Sequence, residues 1–264
     1  MLAFDSISPP MGIITIIFLF IITVAALTTT DSKERSMENS KVLEREAASV
    51  IGKVLRDNFG KGPGNVICSL SDSVLVTYIT NFASPVELSL MNIQQNLFVE
   101  KTGDLLMHTL KEEMMMFIEL KMHLEVNEFF YDWNLDFHTG MLIFIFNKDA
   151  VYDDFYSNQE KLHDVISKIT YEAQRLPDIV QSRRLNTKHL LVFREGLLVN
   201  LEKELLTLGF EETLVLGKRR LEKRLIEEYK TIIEQLLSAK IIDFFVVWNF
   251  SEDKSYILFV LKQE

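Results

Sequence analysis

The residues with the most chemical capacity in this chain lie in a few short tracts. Tyr131-Asp132-Trp133-Asn134 sets a carboxylate, an indole and a carboxamide side by side. Side chains alternate along a strand, so Trp133 takes one face while Asp132 and Asn134 take the other. Two roles fit: a ligand platform built from Trp133 with Asn134, or a tryptophan that fills core or interdomain space behind Phe129-Phe130. Val246-Val247-Trp248-Asn249 repeats the pattern but has Val247 in place of Asp132. A function that needs the carboxylate can therefore survive in only one of the two tracts.

The densest basic cluster is Lys218, Arg219, Arg220, Lys223 and Arg224. Lys223 precedes Glu227, and Arg224 precedes Glu228, by four residues, which predicts a solvated, ion-paired helix face. The competing reading is an anion site shared with Arg194, or a contact with acidic headgroups or an acidic partner. Arg194-Glu195-Gly196 ends a predicted strand and could bring a guanidinium near that helix.

Other chemical signals are weak. His108, His123, His138, His163 and His189 lack metal-ligand spacing, and Cys68 stands alone, which suits a small buried thiol better than a nucleophile. Gly60 to Gly64 follows a helix and lacks a phosphate-loop ending, so it reads as a turn. Met114, Met115 and Met116 read as core fillers, and Glu112-Glu113 with Glu227-Glu228 as helix-surface carboxylates. No nucleophile elbow, Walker sequence or dinucleotide fingerprint is present. The expectation is a protein with no catalytic residues, no metal and no cofactor, hence not an enzyme.

These tracts are positioned by a duplicated unit. Shifting the sequence by 115 positions lays residues 51–146 on 166–261 without a gap, and 17 of 96 pairs are identical, where ordinary composition gives about six. Within the first copy, apolar spacing predicts a helix over 41–59 ending at Gly60. Strands follow over 65–70 and 74–82. Ser84-Pro85-Val86-Glu87 then has the chemistry of a helix start, and the helix runs to about Met122 with a break before Thr102. A second hairpin covers 128–135 and 141–146. The second copy repeats this with a helix near 164–174, strands near 179–185 and 188–194, helical sequence over 200–239 broken at Leu208-Gly209-Phe210, and a hairpin over 243–261.

The predicted fold class is α+β: two tandem α-β-β-α-β-β units, each an antiparallel or mixed sheet with its helices on one face. The expected division is 1–36 as an apolar leader, 41–150 as the first repeat and 160–264 as the second. The two copies are expected to pack as a pseudo-twofold pair through their bare sheet faces.

A net charge of −10 argues against general nucleic-acid binding. Met11 to Leu27 is an uncharged apolar run of about 25 Å as a helix, just short of a bilayer core. A single-helix membrane anchor, a signal peptide and a natural start at Met37 all remain open for this leader. The first places the repeats at the cytoplasmic face of the membrane, the last in the cytoplasm. Homo-oligomers remain open as well.

Ile51-Gly52-Lys53, Asn58 through Pro63, Asn81 through Glu87, Phe129 through Leu135 and Gly140-Met141 make the first repeat resemble the MpsC family of small bacterial proteins. The second repeat is similar to it through Arg183 through Asn186, Arg194 through Val199 and Gly217 through Leu225. The family is named for a sodium-translocating, membrane-potential-generating system, and many members are single-domain. The resemblance implies association with a membrane protein of an ion-translocating system and carries over no catalytic residues. Two functions are therefore expected to compete: a non-catalytic accessory component of such a system, and a cytoplasmic anion-binding or regulatory module using Arg194 and the cluster around Arg219. An enzyme would require polar groups converging in one pocket.

Overall fold

A computed structural model describes residues 38–71, 73–147 and 155–263. The leader, with its anchor, signal-peptide and start-site readings, lies outside the described residues.

The first repeat opens with α1 (residues 38–59), which buries Ala47, Ile51, Val54 and Leu55 at the predicted three- and four-residue spacings. β1 (Asn65–Leu70) and β2 (Val74–Thr80) form the first hairpin. α2 (Pro85–Asn92) begins as its sequence predicts. Glu87 N donates to Ser84 Oγ at 3.3 Å, Ser84 N donates to Glu87 Oε2 at 2.7 Å, and Pro85 sits where no amide is needed. α3 (Asn96–Met122) follows, then β3 (Glu128–Asn134) and β4 (Thr139–Ile145). The break between α2 and α3 falls at residues 93–95, earlier than the spacing suggests, because Gln94 turns left-handed at φ 61.

The second repeat runs α4 (Gln159–Ala173), β5 (Ile179–Arg184), β6 (His189–Glu195), α5 (Asn200–Thr207), α6 (Glu211–Leu237), β7 (Ala239–Asn249) and β8 (Lys254–Gln263). Its last hairpin is longer than expected at both ends, and β7 absorbs the extra length with an irregularity between Ile241 and Asp243. The duplication reaches the backbone. Left-handed residues Asn81, Gln94, His123 and His138 return 115 positions later as Gly196, Gly209, Ser238 and Asp253.

Each repeat makes one antiparallel four-stranded sheet, ordered β1-β2-β4-β3 and β5-β6-β8-β7. Strand alternation gives each sheet two faces. In the second repeat the outer face, with Leu190, Val192, Phe244, Ile257 and Phe259, packs against Leu162 and Ile166 of α4 and Leu225, Ile226 and Ile233 of α6. The inner faces meet each other. Val76, Tyr78, Met141 and Ile143 of one sheet share a core with Leu191, Phe245, Tyr256 and Leu258 of the other. Thirteen buried side chains form this core, at about 1.5–3 kcal/mol each when fully buried, so neither sheet would be stable with that face in water. Both repeats accordingly fall in one compact unit, residues 44–264.

Polar contacts stitch the inner faces. The Ser69 hydroxyl lies 2.7 Å from His189 Nδ1 and accepts from Asn186 Nδ2 at 2.7 Å. Burial, helped by the nearby Lys188, lowers the His189 pKa to about 4. On the outer face of the first sheet, Cys68 pairs with the Thr77 hydroxyl, and burial pushes its thiol up to about 12, which makes it a poor nucleophile.

Candidate functional site

Two ionic clusters dominate the interior, one between the repeats and one inside the second. The first is built on Asp132, which β3 points toward the other repeat and which is fully buried. Its Oδ1 accepts from Trp133 N at 2.8 Å and its Oδ2 from Val246 N of β7 at 3.0 Å. Two cations reach it from α6: Lys223 Nζ at 2.8 Å and Arg219 Nε at 2.9 Å. Arg219 Nε is close but out of line for a hydrogen bond, so that contact is an ion pair. Lys223 also donates to Trp133 O at 2.8 Å.

Arg219 continues to Asp104 of α3, with Nη1 3.4 Å from Oδ2. Burial opposes the charge on Arg219, but Asp132 and then Asp104 outweigh it and its pKa is raised. Burial raises the pKa of Asp104, against the pull of Arg219. Tyr131, whose hydroxyl donates to Asp104 O at 3.3 Å, is raised by burial and by the Asp104 charge.

The basic cluster is therefore not the solvated, self-paired helix face that its spacing suggests. Lys218 and Arg219 are 5% exposed, and Lys223 pairs with Asp132 across the repeats. Tertiary partners outcompete i,i+4 pairing because a buried carboxylate without a countercharge costs several kcal/mol. Arg220 does face solvent, with Glu100 3.7 Å away, and Arg224 is exposed.

The second cluster centres on Arg194, which β6 directs outward beneath α4 and α6 and which is fully buried. It donates to Glu222 Oε2 at 2.6 Å, Ser255 Oγ at 2.6 Å and Thr170 Oγ1 at 2.9 Å. The other oxygen of Glu222 accepts from Trp248 Nε1 at 3.1 Å. Lys218 lies over the Trp248 ring and donates to Glu202 at 2.9 Å and to Gln174. The sequence-based idea that Arg194 approaches the α6 helix agrees with this geometry. An external anion would have to displace Glu222 to reach the guanidinium.

The same position in the first repeat is apolar. Ile79, Met107, Gly103, Gly140 and Leu55 stand where the second has Arg194, Glu222, Lys218, Ser255 and Thr170. There Trp133 packs on Phe82, ring centroids 4.7 Å apart, and its indole nitrogen lies close over Gly103. Without a glutamate at position 107, Trp133 Nε1 is buried with no acceptor. A small hollow beside it is lined by Leu55, Phe59, Lys61, Pro63, Phe82 and Trp133.

Of the remaining sequence candidates, Asn134 and Asn249 join the inter-repeat seam. Asn134 donates to Asp243 Oδ1 at 2.8 Å, and Asn249 donates to Glu128. Asp243 also accepts from Tyr78 at 3.3 Å and from Thr139. Burial raises the Asp243 pKa, against its hydrogen bonds. Glu195 is half-buried at the end of β6, where its carbonyl accepts from Asp178 N. Sequence reasoning missed Glu222, Asp243 and Asp104. A signal was available for two of them: Glu222 stands against Met107 and Asp104 against Arg219 at the equivalent positions of the other copy, whereas Asp243 stands against the like-charged Glu128. Among the described residues no group of three or more His, Cys, Asp or Glu is arranged to hold a metal ion, and no helix is long and apolar enough to cross a membrane.

No curated protein and no solved structure matches the chain. A family model does, twice: the Na+-translocating membrane potential-generating system (MpsC) model covers residues 39–148 and again 157–263. With both repeats matched and nearly the whole described chain covered, the chain belongs to the MpsC family, in two tandem copies.

Proposed function

We propose that this protein is a non-catalytic accessory component of a sodium-translocating, membrane-potential-generating system, acting through protein contacts at the cytoplasmic face of the membrane. Family membership supports the link to such a system. The observation that carries the accessory reading is where the polar groups go. Asp132 is held by Arg219, Lys223 and two backbone amides, and Arg194 by Glu222, Ser255 and Thr170. Side chains paired in this way rigidify a scaffold, and in this reading they serve structure and not proton or group transfer, although Arg194 Nε and Arg219 Nε have no hydrogen-bond acceptor. Chemical cross-linking in the native host, followed by affinity purification of the full chain, tests the reading. An integral membrane protein of an ion-translocating complex, enriched reproducibly and lost when the cross-linker is omitted under stringent washing, is expected. Recovery of the chain alone overturns it.

A further inference from the structure

α3 is apolar on two opposite sides. Val99, Met107, Leu110, Met114 and Ile118 are buried. On the far side Phe98, Leu105, Met116 and Leu120 are 58%, 66%, 50% and 64% exposed. At 100° per residue these four lie within about 60° of one another, along about 33 Å of helix. The second repeat supplies an internal comparison. Its equivalent helix, α6, has Thr213, Arg220, Thr231 and Gln235 at the same four positions, all exposed. The fold itself therefore requires no apolar residue there, and a second apolar stripe on the solvent side of a helix, here interrupted by Thr102 and Thr109, marks a contact surface.

The charge on this face identifies the occupant. Glu112 and Glu113 flank the stripe on either side near its midpoint, both exposed and without a cation partner among the described residues; α6 keeps the same pair as Glu227 and Glu228, but there Lys230, at the position of Met115, pairs with Glu227. A second copy, paired antiparallel about Thr109, would bring the two Glu112 side chains within about 10 Å along the axis and crowd four carboxylates onto one seam. An anionic bilayer would repel the same carboxylates. A helix with an apolar stripe and basic residues at its middle satisfies both features at once.

We propose that the outer face of α3 docks an amphipathic helix of a partner protein, which sets its apolar stripe against Phe98, Leu105, Met116 and Leu120 and lysine or arginine against Glu112 and Glu113. This rests on the accessory reading above and adds the place and chemistry of contact.

The probe is a fluorescein-labelled, 18-residue amphipathic peptide of leucine and lysine, with a leucine and glutamate counterpart, titrated by anisotropy into the full chain. Saturable binding of the lysine peptide is expected. Leu105→Arg with Met116→Thr, which installs the residues α6 already carries, weakens it at least tenfold while circular dichroism and the melting temperature stay unchanged. Glu112→Lys with Glu113→Lys reverses the preference toward the glutamate peptide. Equal binding to wild type and the Leu105/Met116 variant, or none to either, overturns the proposal. So does self-association in sedimentation equilibrium, or binding to phosphatidylglycerol vesicles, that the same two substitutions abolish. The cross-linked purification separates this from the accessory reading: a membrane partner retained by the Leu105/Met116 variant sinks the α3 surface alone, whereas no partner for wild type sinks the accessory reading.

Discussion

Asn134 donates to Asp243 at 2.8 Å, and the same contact recurs with the copies exchanged, from Asn249 to Glu128. Asn249 and Asp243 are the equivalents of Asn134 and Glu128, so the seam is reciprocal, as a twofold relation requires. Asp104 and Arg219 are equivalents of each other and form an ion pair, which places them where such an axis would pass. In a symmetric dimer this position would hold two identical residues facing one another. Joining the copies in one chain allows one to be acidic and the other basic.

Asp243 is the more heavily used of the two seam carboxylates. Asn134, Tyr78 and Thr139 all donate to it from the first repeat, and Phe244 N donates from its own strand. Asp243→Ala leaves these buried donors without an acceptor, at a cost of about 2–4 kcal/mol. Asn249→Ala removes one seam donor, together with the turn acceptor of Glu252 N and Ser251 Oγ, all at the half-buried end of the seam, and costs about 1–2 kcal/mol. Urea unfolding at neutral pH measures both. Equal losses would show that the convergence on Asp243 contributes nothing beyond a single hydrogen bond.

Arg194 and Glu222 are a buried pair for which the first repeat provides an apolar alternative, Ile79 with Met107. Glu222→Met leaves Arg194 without a countercharge and costs about 3–5 kcal/mol, whereas Arg194→Ile leaves Glu222 with Lys218 3.9 Å away and costs less. The double variant installs two of the five first-repeat residues at this position and recovers part of that loss, because apolar side chains of similar size often replace a buried ion pair at little cost, while Trp248 Nε1 loses its acceptor. A double-mutant cycle by denaturant titration reads the coupling directly. Additive losses in the double variant would mean the pair is not the unit that matters.

Element order, the inner strands and the α2 capping box were legible because they depend on local chemistry: alternation in Val74 to Thr80, the Ser84-Pro85-Glu87 start, and glycine at Gly209. The left-handed turn at Gln94 was not, since nothing in Gln94-Gln95 announces it, although Gly209 in the second copy marks the same corner. The site was read in part. Asp132, Trp133, Arg194 and Arg219 stood out by type, yet their partners did not, because Asp132 meets Lys223 and Val246 across 91 and 114 residues. Spacing along a helix predicts only neighbours on that helix. It assigned Lys223 to Glu227, and the fold assigned it to Asp132.

His189 makes stability depend on pH with a definite sign. Its ring is buried against Ser69 and Tyr78, and burial with the adjacent Lys188 lowers its pKa from 6.5 to about 4. Between those values the unfolded chain holds a proton there that the folded chain does not, so stability rises with pH across the window. The contribution is complete above pH 6.5 and lost as the pH falls toward 4, with a total of about 3 kcal/mol. Asp104 and Asp243, whose pKa values are raised, act in the opposite direction on acidification, so the wild-type profile alone mixes the two. His189→Gln isolates the histidine: whatever its stability at pH 7, its decline between pH 6.5 and 4 should be shallower than that of wild type by about 3 kcal/mol. Urea titrations at half-unit steps measure both curves, and parallel declines would show that His189 is not the group that titrates.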